Sequence, residues 1–341
     1  MKPTVHDIAR SAGVSLATVD RVLNGRPGVR HVTRERVEQA ISSLGYVRDV
    51  AAANLAKGRT YSFAFVLPNY DNSFMISIRD EVEAAISRSG AERTQIRIIE
   101  VPPFDAPALA DALDRIAADM PDGVAFVAVE GDEVHAAVGR LKETGIAVAT
   151  LVSDLPGSDR DHFTGIDNHA AGRTAANLLG RFVGGRDGRI AVLAGSMLVR
   201  DHRERLEGFA AVMGESFPRL SVLPVMEARD DPSLAADVVS AVLQRYPDII
   251  GLYSLGAGNR GIVHAVREIA PEVRPLVVAH ELTRTTRAAL VEGLIDAVLN
   301  QDAGHEVRSA IRVLKGKADG LPVIAAQERI RIDIFLKDNM P

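Results

Sequence analysis

The chain has 341 residues, 47% apolar and 25% charged, with a formal charge of −5. That profile belongs to an ordinary soluble globular protein too long for one core of the usual roughly 100–200 residues. Zero cysteines exclude disulfides, thiolate nucleophiles and cysteine-ligated metal sites, and zero Trp with 4% aromatics argues against a stacking platform for single strands. No run reaches the roughly 18–20 apolar residues of a membrane span. The stretch Met1 to Asp7 lacks the apolar core of a secretory signal. The expectation is a cytoplasmic protein without membrane contact.

The charge is uneven. Residues 1–60 hold ten Lys or Arg against five acids, and the remainder holds 30 basic against 40 acidic residues. A cationic head on an anionic body points to a polyanion met by the head alone, with a merely solvated basic face as the alternative. In chain order, Thr4 and Asp7 form a capping box that predicts a first helix to about Ser11, burying Val5, Ile8 and Ala9. Ala12-Gly13-Val14 makes a turn, and Ser15 caps a second helix, Leu16 to Leu23, stopped by Asn24-Gly25. A third helix runs from Thr33 to Leu44, with Gly45 as its stop. Two helices joined by a short turn containing Gly make a helix-turn-helix, whose second helix is free to enter a major groove.

These residues carry a family resemblance. Thr4-Val5-His6-Asp7-Ile8-Ala9, Ala12-Gly13-Val14-Ser15, Ala17 to Asn24 and Leu44-Gly45-Tyr46 resemble the LacI/GalR family of bacterial transcription regulators over about the first 60 residues. The resemblance implies a DNA-binding surface of Thr4, Ser15, Leu16, Ala17, Thr18, Arg21, Asn24 and His31. Leu16, Ala17 and Arg21 would read bases, Arg21 as a fork on guanine, while Thr18, Asn24 and His31 would hold phosphates. Asp20 stands where the family usually has Ser, and its expected partner is Arg21 or a cytosine amine. The Ala-rich stretch 49–60 reads either as a plain linker or, by the resemblance, as a hinge helix that folds on DNA. In that hinge Leu55 would be levered into the minor groove beside Ala52 and Asn54. The implied domains are a head at 1–48, a hinge at 49–60 and a body at 61–341.

From Tyr61 the chain alternates apolar runs of strand length with helical periodicity. The runs are Phe63–Leu67, Ile96–Val101, Val124–Val129, Ile146–Leu151, Ile190–Leu193, Ser221–Val225, Ile249–Tyr253, Leu276–Ala279, Ala297–Leu299 and Arg331–Phe335. The expected fold class is therefore α/β: a three-helix head, then doubly wound parallel sheets. The resemblance implies a periplasmic-binding-protein-like body of two lobes. The N-lobe takes about 61–153 and 302–320, and the C-lobe about 162–299 and 321–341. Three segments cross between them near Val152–Asp161, Leu299–Asp302 and Gly320–Ile324. A homodimer is expected, without a coiled-coil tetramer, since no heptad repeat follows the last strand.

Position matching within the family places a small carbohydrate-like effector, a sugar or polyol, among Asn72, Phe74, Asp154, Arg203, Arg205, Ser254, Glu281 and Gln301. Carboxylates, a guanidinium fork and amides suit paired hydroxyls, and Phe74 or Tyr70 could cover a ring face. A competing motif is Gly256-x-Gly258-x-x-Gly261 with Glu281 twenty residues beyond, the spacing of a dinucleotide site in an NAD-dependent redox sensor or oxidoreductase. Close loop packing explains the same glycines. An exported solute-binding protein is a further alternative that the basic head disfavours. The nine His show no metal-ligand spacing and read as solvated or capping, Asp230-Asp231 before Pro232 reads as a helix start, and no catalytic motif occurs. No cofactor, metal or enzyme activity is expected.

Overall fold

The computed structural model describes residues 3–46, 58–69, 72–256 and 258–341. Asn54, Leu55, the rest of the proposed hinge to Lys57, and Tyr70 lie outside the described residues. The chain divides into two compact units, Met1–Arg59 and Thr60–Pro341.

The first unit packs α1 (Val5–Ala12), α2 (Leu16–Leu23) and α3 (His31–Leu44). The Asp7 carboxylate accepts the Thr4 backbone N–H at 2.9 Å and the Thr4 hydroxyl at 2.7 Å. Those bonds hold the Asp7 pKa below the usual carboxylate range. Ser15 Oγ accepts the Thr18 N–H at 3.2 Å, and Gly13 takes a left-handed φ of 63° that lets α1 end and the turn begin. Ile8, Val19 and Val37 are fully buried at the centre, worth about 1.5–3 kcal/mol each. A core this small leaves the caps, about 1 kcal/mol apiece, a comparable share of the stability.

The second unit holds two sheets. The first has the order β2-β1-β3-β4-β5, all parallel, from β1 (Tyr61–Pro68), β2 (Thr94–Val101), β3 (Gly123–Phe126), β4 (Ala147–Leu151) and β5 (His162–Thr164). Helices α4 (Ser73–Ser87), α5 (Ala106–Asp119) and α6 (Asp132–Glu143) follow its strands. The second sheet begins after α7 (Asn168–Phe182). Its order is β12-β11-β10-β9-β6-β7, with β8 (Met226–Glu227) beside β6. Its strands are β6 (Gly188–Ala194), β7 (Leu220–Val222), β9 (Ile249–Ser254), β10 (Leu276–His280), β11 (Ala297–Asn300) and β12 (Asp333–Phe335). Between them lie α8 (Arg200–Ser216), α9 (Pro232–Arg245), α10 (Asn259–Arg267) and α11 (Arg284–Glu292). Only β12 runs antiparallel among the described strands.

After β11 the chain returns to the first lobe, where α12 (Ala303–Ala318) buries Val307, Ala310, Ile311 and Leu314 against β1 and β4 residues. It then crosses back to supply β12 to the second sheet. The first crossing lies later than Val152–Asp161. The chain stays in the first sheet through Thr164, because Asp161 accepts the Val148 N–H at 2.8 Å and Thr164 Oγ1 donates to the Thr150 carbonyl at 2.9 Å. The polar His162-Phe163-Thr164 segment has no apolar run to announce a strand.

Candidate functional site

In the head, α2 presents Ser15, Leu16, Ala17 and Arg21 to solvent and Thr18 half-buried beside them. Leu16 is 42% exposed, a large apolar side chain left outside a core that has too few of them. Among the described residues no carboxylate pairs with Arg21. Asp20 corrects the expectation: it accepts Asn24 Nδ2 at 2.7 Å and Arg26 Nη1 at 3.3 Å, not Arg21. Positions four apart stack on one helix face, whereas the adjacent Arg21 points about 100° away. The Asn24 amide is thereby engaged inside the protein, as is the Thr4 hydroxyl. His31 is exposed, 3.5 Å from Glu35.

In the body, the strand ends of both sheets face a shared cleft. Five predicted residues line it together: Asn72, Phe74, Arg205, Glu281 and Gln301. Arg205 is 2% exposed and donates to Asn168 Oδ1 at 2.8 Å and the Leu255 carbonyl at 2.6 Å. Its Nη2 has no hydrogen-bond partner and lies 3.9 Å from Glu281 Oε1. Gln301 Nε2 donates to Glu281 Oε1 at 2.8 Å, while Gln301 Oε1 is buried and unpartnered, as is Ser153 Oγ. Burial pushes the Glu281 carboxyl up to about 7 against the pull of Arg205 and Gln301. Glu306 behind it has both carboxylate oxygens buried without partners, and burial followed by the Glu281 charge holds its pKa well above the ordinary value.

The backbone around the cleft is strained. Phe104, Val152, Asp230 and Glu281 all line it and take φ values of 57°, 64°, 59° and 69°. Left-handed backbone is costly for non-glycine residues, most of all for a β-branched valine, and it collects where geometry is being held for a purpose.

Three predicted residues do not line the cleft. Asp154 clamps Arg160 through both carboxylate oxygens and accepts Thr150 Oγ1 at 2.7 Å, which ties the loop after β4. Arg203 donates to Glu130 Oε2 at 2.5 Å and so joins the second lobe to the first. It stands two residues from Arg205, about 200° around the helix, and both cannot face one side. Ser254 is fully buried and donates to Asn259 Oδ1 at 2.9 Å, fixing the loop after β9.

The cleft also holds residues that sequence reasoning passed over: Ser153, Asp201, His202 and Asp230. Asp231 is the helix cap, accepting the Leu234 N–H at 2.8 Å, so Asp230 is released to accept Asn72 Nδ2 at 2.9 Å from the other lobe. His202 is 5% exposed and bonded through Nδ1 to Ser196, and His280 is fully buried against the Tyr253 hydroxyl at 2.9 Å, so neither is solvated. Burial, then the Arg205 charge, holds the His280 pKa well below its ordinary value. A doubled acid before a proline could have flagged Asp230; nothing local marked His202.

Packing accounts for the glycines of the competing motif. A Cβ on Gly256 would lie 2.3 Å from His202 Nε2, and one on Gly261 would lie 2.0 Å from the Pro232 carbonyl. Among the described residues no group of three His, Cys, Asp or Glu is placed to hold a metal, and no helix is long and apolar enough to cross a membrane.

A head with an exposed second helix and a two-lobed α/β body enclosing a polar cleft define a DNA-binding-type module joined to a ligand-binding module. Residues 63–322 match the family described as periplasmic binding protein domain, and residues 4–49 match bacterial regulatory proteins, lacI family. The chain belongs to the periplasmic binding protein domain family through its body and carries a lacI-family domain at its head. It is 26% identical over 224 residues to catabolite control protein A of Priestia megaterium, covering 63% of this chain and 62% of that one. It is 27% identical over 219 residues to the HTH-type transcriptional regulator DegA of Bacillus subtilis, with the same coverage. The sucrose operon repressor of Escherichia coli is 35% identical over 156 residues, 45% of each chain. The chain thus spans about three fifths of the length of the first two relatives. Among solved structures, a glucose-galactose binding protein from Geobacillus stearothermophilus superposes with a TM-score of 0.74 at 20% identity, over 83% of this chain and 99% of that one. A solute binding protein from Burkholderia graminis, in complex with D-arabinose, gives 0.74 at 20% identity over 83% and 97%. That likeness concerns the fold.

Proposed function

We propose that the protein is a transcriptional repressor of the LacI type, acting in the cytoplasm as a homodimer without catalysis. Each head places α2 in the major groove of a half-site, with half-sites about one helical turn apart. Arg21 forks onto a guanine, Leu16 and Ala17 meet base edges, and Ser15 and Thr18 at the start of the helix hold phosphate. Thr4, Asn24 and His31 orient the head. Residues 49–60 are the hinge, with Asn54 and Leu55 at the minor groove. A carbohydrate-like effector binds in the cleft, and the Asn72–Asp230 and Glu130–Arg203 bonds give the closed lobes their own stabilisation. Effector binding shifts the lobes and so the hinges, coupling the two sites by about 1–3 kcal/mol.

The observation that carries this reading is the cleft. Arg205 Nη2 and Gln301 Oε1 are buried hydrogen-bonding atoms left without partners beside Glu281. Unpaired polar atoms are costly, and a ligand with hydroxyl groups would satisfy them. The exposed α2 face on the same chain supplies the output.

Gel-shift titration with operator DNA selected from random duplexes tests the output. Binding should be salt-dependent, with log affinity falling linearly in log salt, and a cleft ligand should change it by about 5–150-fold. Specific binding indifferent to every ligand that melts with the protein would refute the coupling.

A further inference from the structure

The two halves of the cleft differ in kind. The second lobe contributes Asp201, His202, Arg205, Asp230 and Glu281, with Gln301 at the crossing. The first lobe contributes Pro103, Phe104, Leu109, Val127 and Val129 among other apolar groups. Its polar lining is Asn72 and Ser153 alone among the described residues. Asn72 is already spent, since its Oδ1 accepts the Phe74 and Met75 N–H groups and its Nδ2 donates to Asp230.

On the polar side, a hydroxyl oxygen can stand within hydrogen-bond distance of both Arg205 Nη2 and Glu281 Oε1, which are 3.9 Å apart. It would accept from the first and donate to the second, and a neighbouring hydroxyl would donate to Gln301 Oε1. On the apolar side the one such partner among the described residues is Ser153 Oγ. A hydroxyl buried against Val127 and Val129 loses its water without replacement, at a cost on the order of tenfold in affinity. A free hexose carries hydroxyls around its whole ring edge, and those turned to the Val127–Val129 wall beyond the reach of Ser153 Oγ would lose water without replacement.

From this asymmetry we infer that the effector is a hydroxylated ring carrying a flat apolar substituent, an aryl-glycoside or nucleoside type of molecule, with hydroxyls on the Arg205 side and the substituent on the Val127–Val129 wall. The inference rests on the reading of the cleft as the effector site. An aryl group and a nucleobase share the flat apolar face, and the experiment separates them.

The test is calorimetric titration of the full chain with D-glucose, D-galactose and D-ribose, their phenyl β-glycosides, and adenosine and cytidine. A substituted ring binding about tenfold or more tighter than its parent sugar is the expected result. Val127→Thr/Val129→Thr, which adds hydroxyls at nearly constant shape, should cut that ratio below about threefold. Phe104→Ser, in the half-buried loop before α5, tests the same wall should the double variant fail to fold. Preference for phenyl glycosides alone, or for nucleosides alone, names the source within the inferred class. Equal or tighter binding of the free sugars overturns the inference and leaves the carbohydrate reading standing. Binding of no compound by a chain that still grips operator DNA overturns both.

Discussion

In the head, the candidate contact residues Leu16, Ala17 and Arg21 stand outside a small core, on a single helix of eight residues. In the body, Arg205, Glu281 and Gln301 are more than nine-tenths buried and come from one helix and the ends of two strands, spread over nearly 100 positions. A rigid external polyanion can be read by side chains that a capped helix places locally. A small ligand must be enclosed, so its partners have to be desolvated and assembled by the whole fold. Substitutions should therefore separate binding from stability in the head and entangle the two in the body.

Removing the head is the strongest test of that contrast. A chain beginning at Thr60 should lose operator binding entirely in a gel shift while its cleft affinity stays within about twofold, consistent with two separately compact units. Loss of both would break the comparison. Next comes Arg205→Ala, which removes a buried cation bonded to Asn168 and Leu255 and facing Glu281. It should cost about 3–5 kcal/mol in urea unfolding together with ligand binding. By contrast, Arg21→Ala should cost about 1–3 kcal/mol of operator affinity and shift unfolding by less than about 0.5 kcal/mol.

A smaller effect concerns pH. The Glu281 carboxyl ionises near 7 in the folded protein against an ordinary 4.5. Between those values the folded state holds the extra proton, so stability falls as pH rises and the loss is complete above 7. Arg205, Asp201 and Glu306 face the same group, and the Glu306 pKa is raised in the same direction. Glu281→Gln should raise Tm at pH 8 by roughly 2–4 °C per kcal/mol relieved and flatten the melting profile between pH 5 and 8. An unchanged profile would assign the pH dependence elsewhere. The smallest effect is expected at Asp20. Exchanging it for Ser removes an exposed carboxylate paired with Arg26, a contact worth about 0.2–1 kcal/mol. Operator affinity at low salt should rise a fewfold.

How much of this was legible beforehand differs between the same two regions. The α2 bounds followed from Ser15, the apolar spacing and Asn24-Gly25, all within ten residues. The cleft was half legible. Asn72, Glu281 and Gln301 sit at element ends where side chains converge, Arg205 lies in the second turn of α8, and matching by position reached all four. Asp154 and Arg203 looked equally suitable, yet one is consumed by Arg160 and the other by Glu130 across the lobes. No local pattern ranks one arginine over another two residues away; the rotation of α8 on the second sheet does. Asp230 was missed for the same reason, since it gains its role from Asn72, 158 positions away, while His202 is held by Ser196 in the loop just before α8.

The linear chain by itself determined the capped helices, the strand runs, the cationic head and the absence of thiol chemistry, because each depends on neighbours within a turn or two or on composition alone. Only the tertiary structure decided which charged groups are paired, which are left open in the cleft, that β5 stays in the first sheet, and that one wall is largely apolar while the other is polar. Those outcomes depend on burial and on contacts between distant segments, and desolvation is a property of the packed molecule that no short stretch of sequence carries.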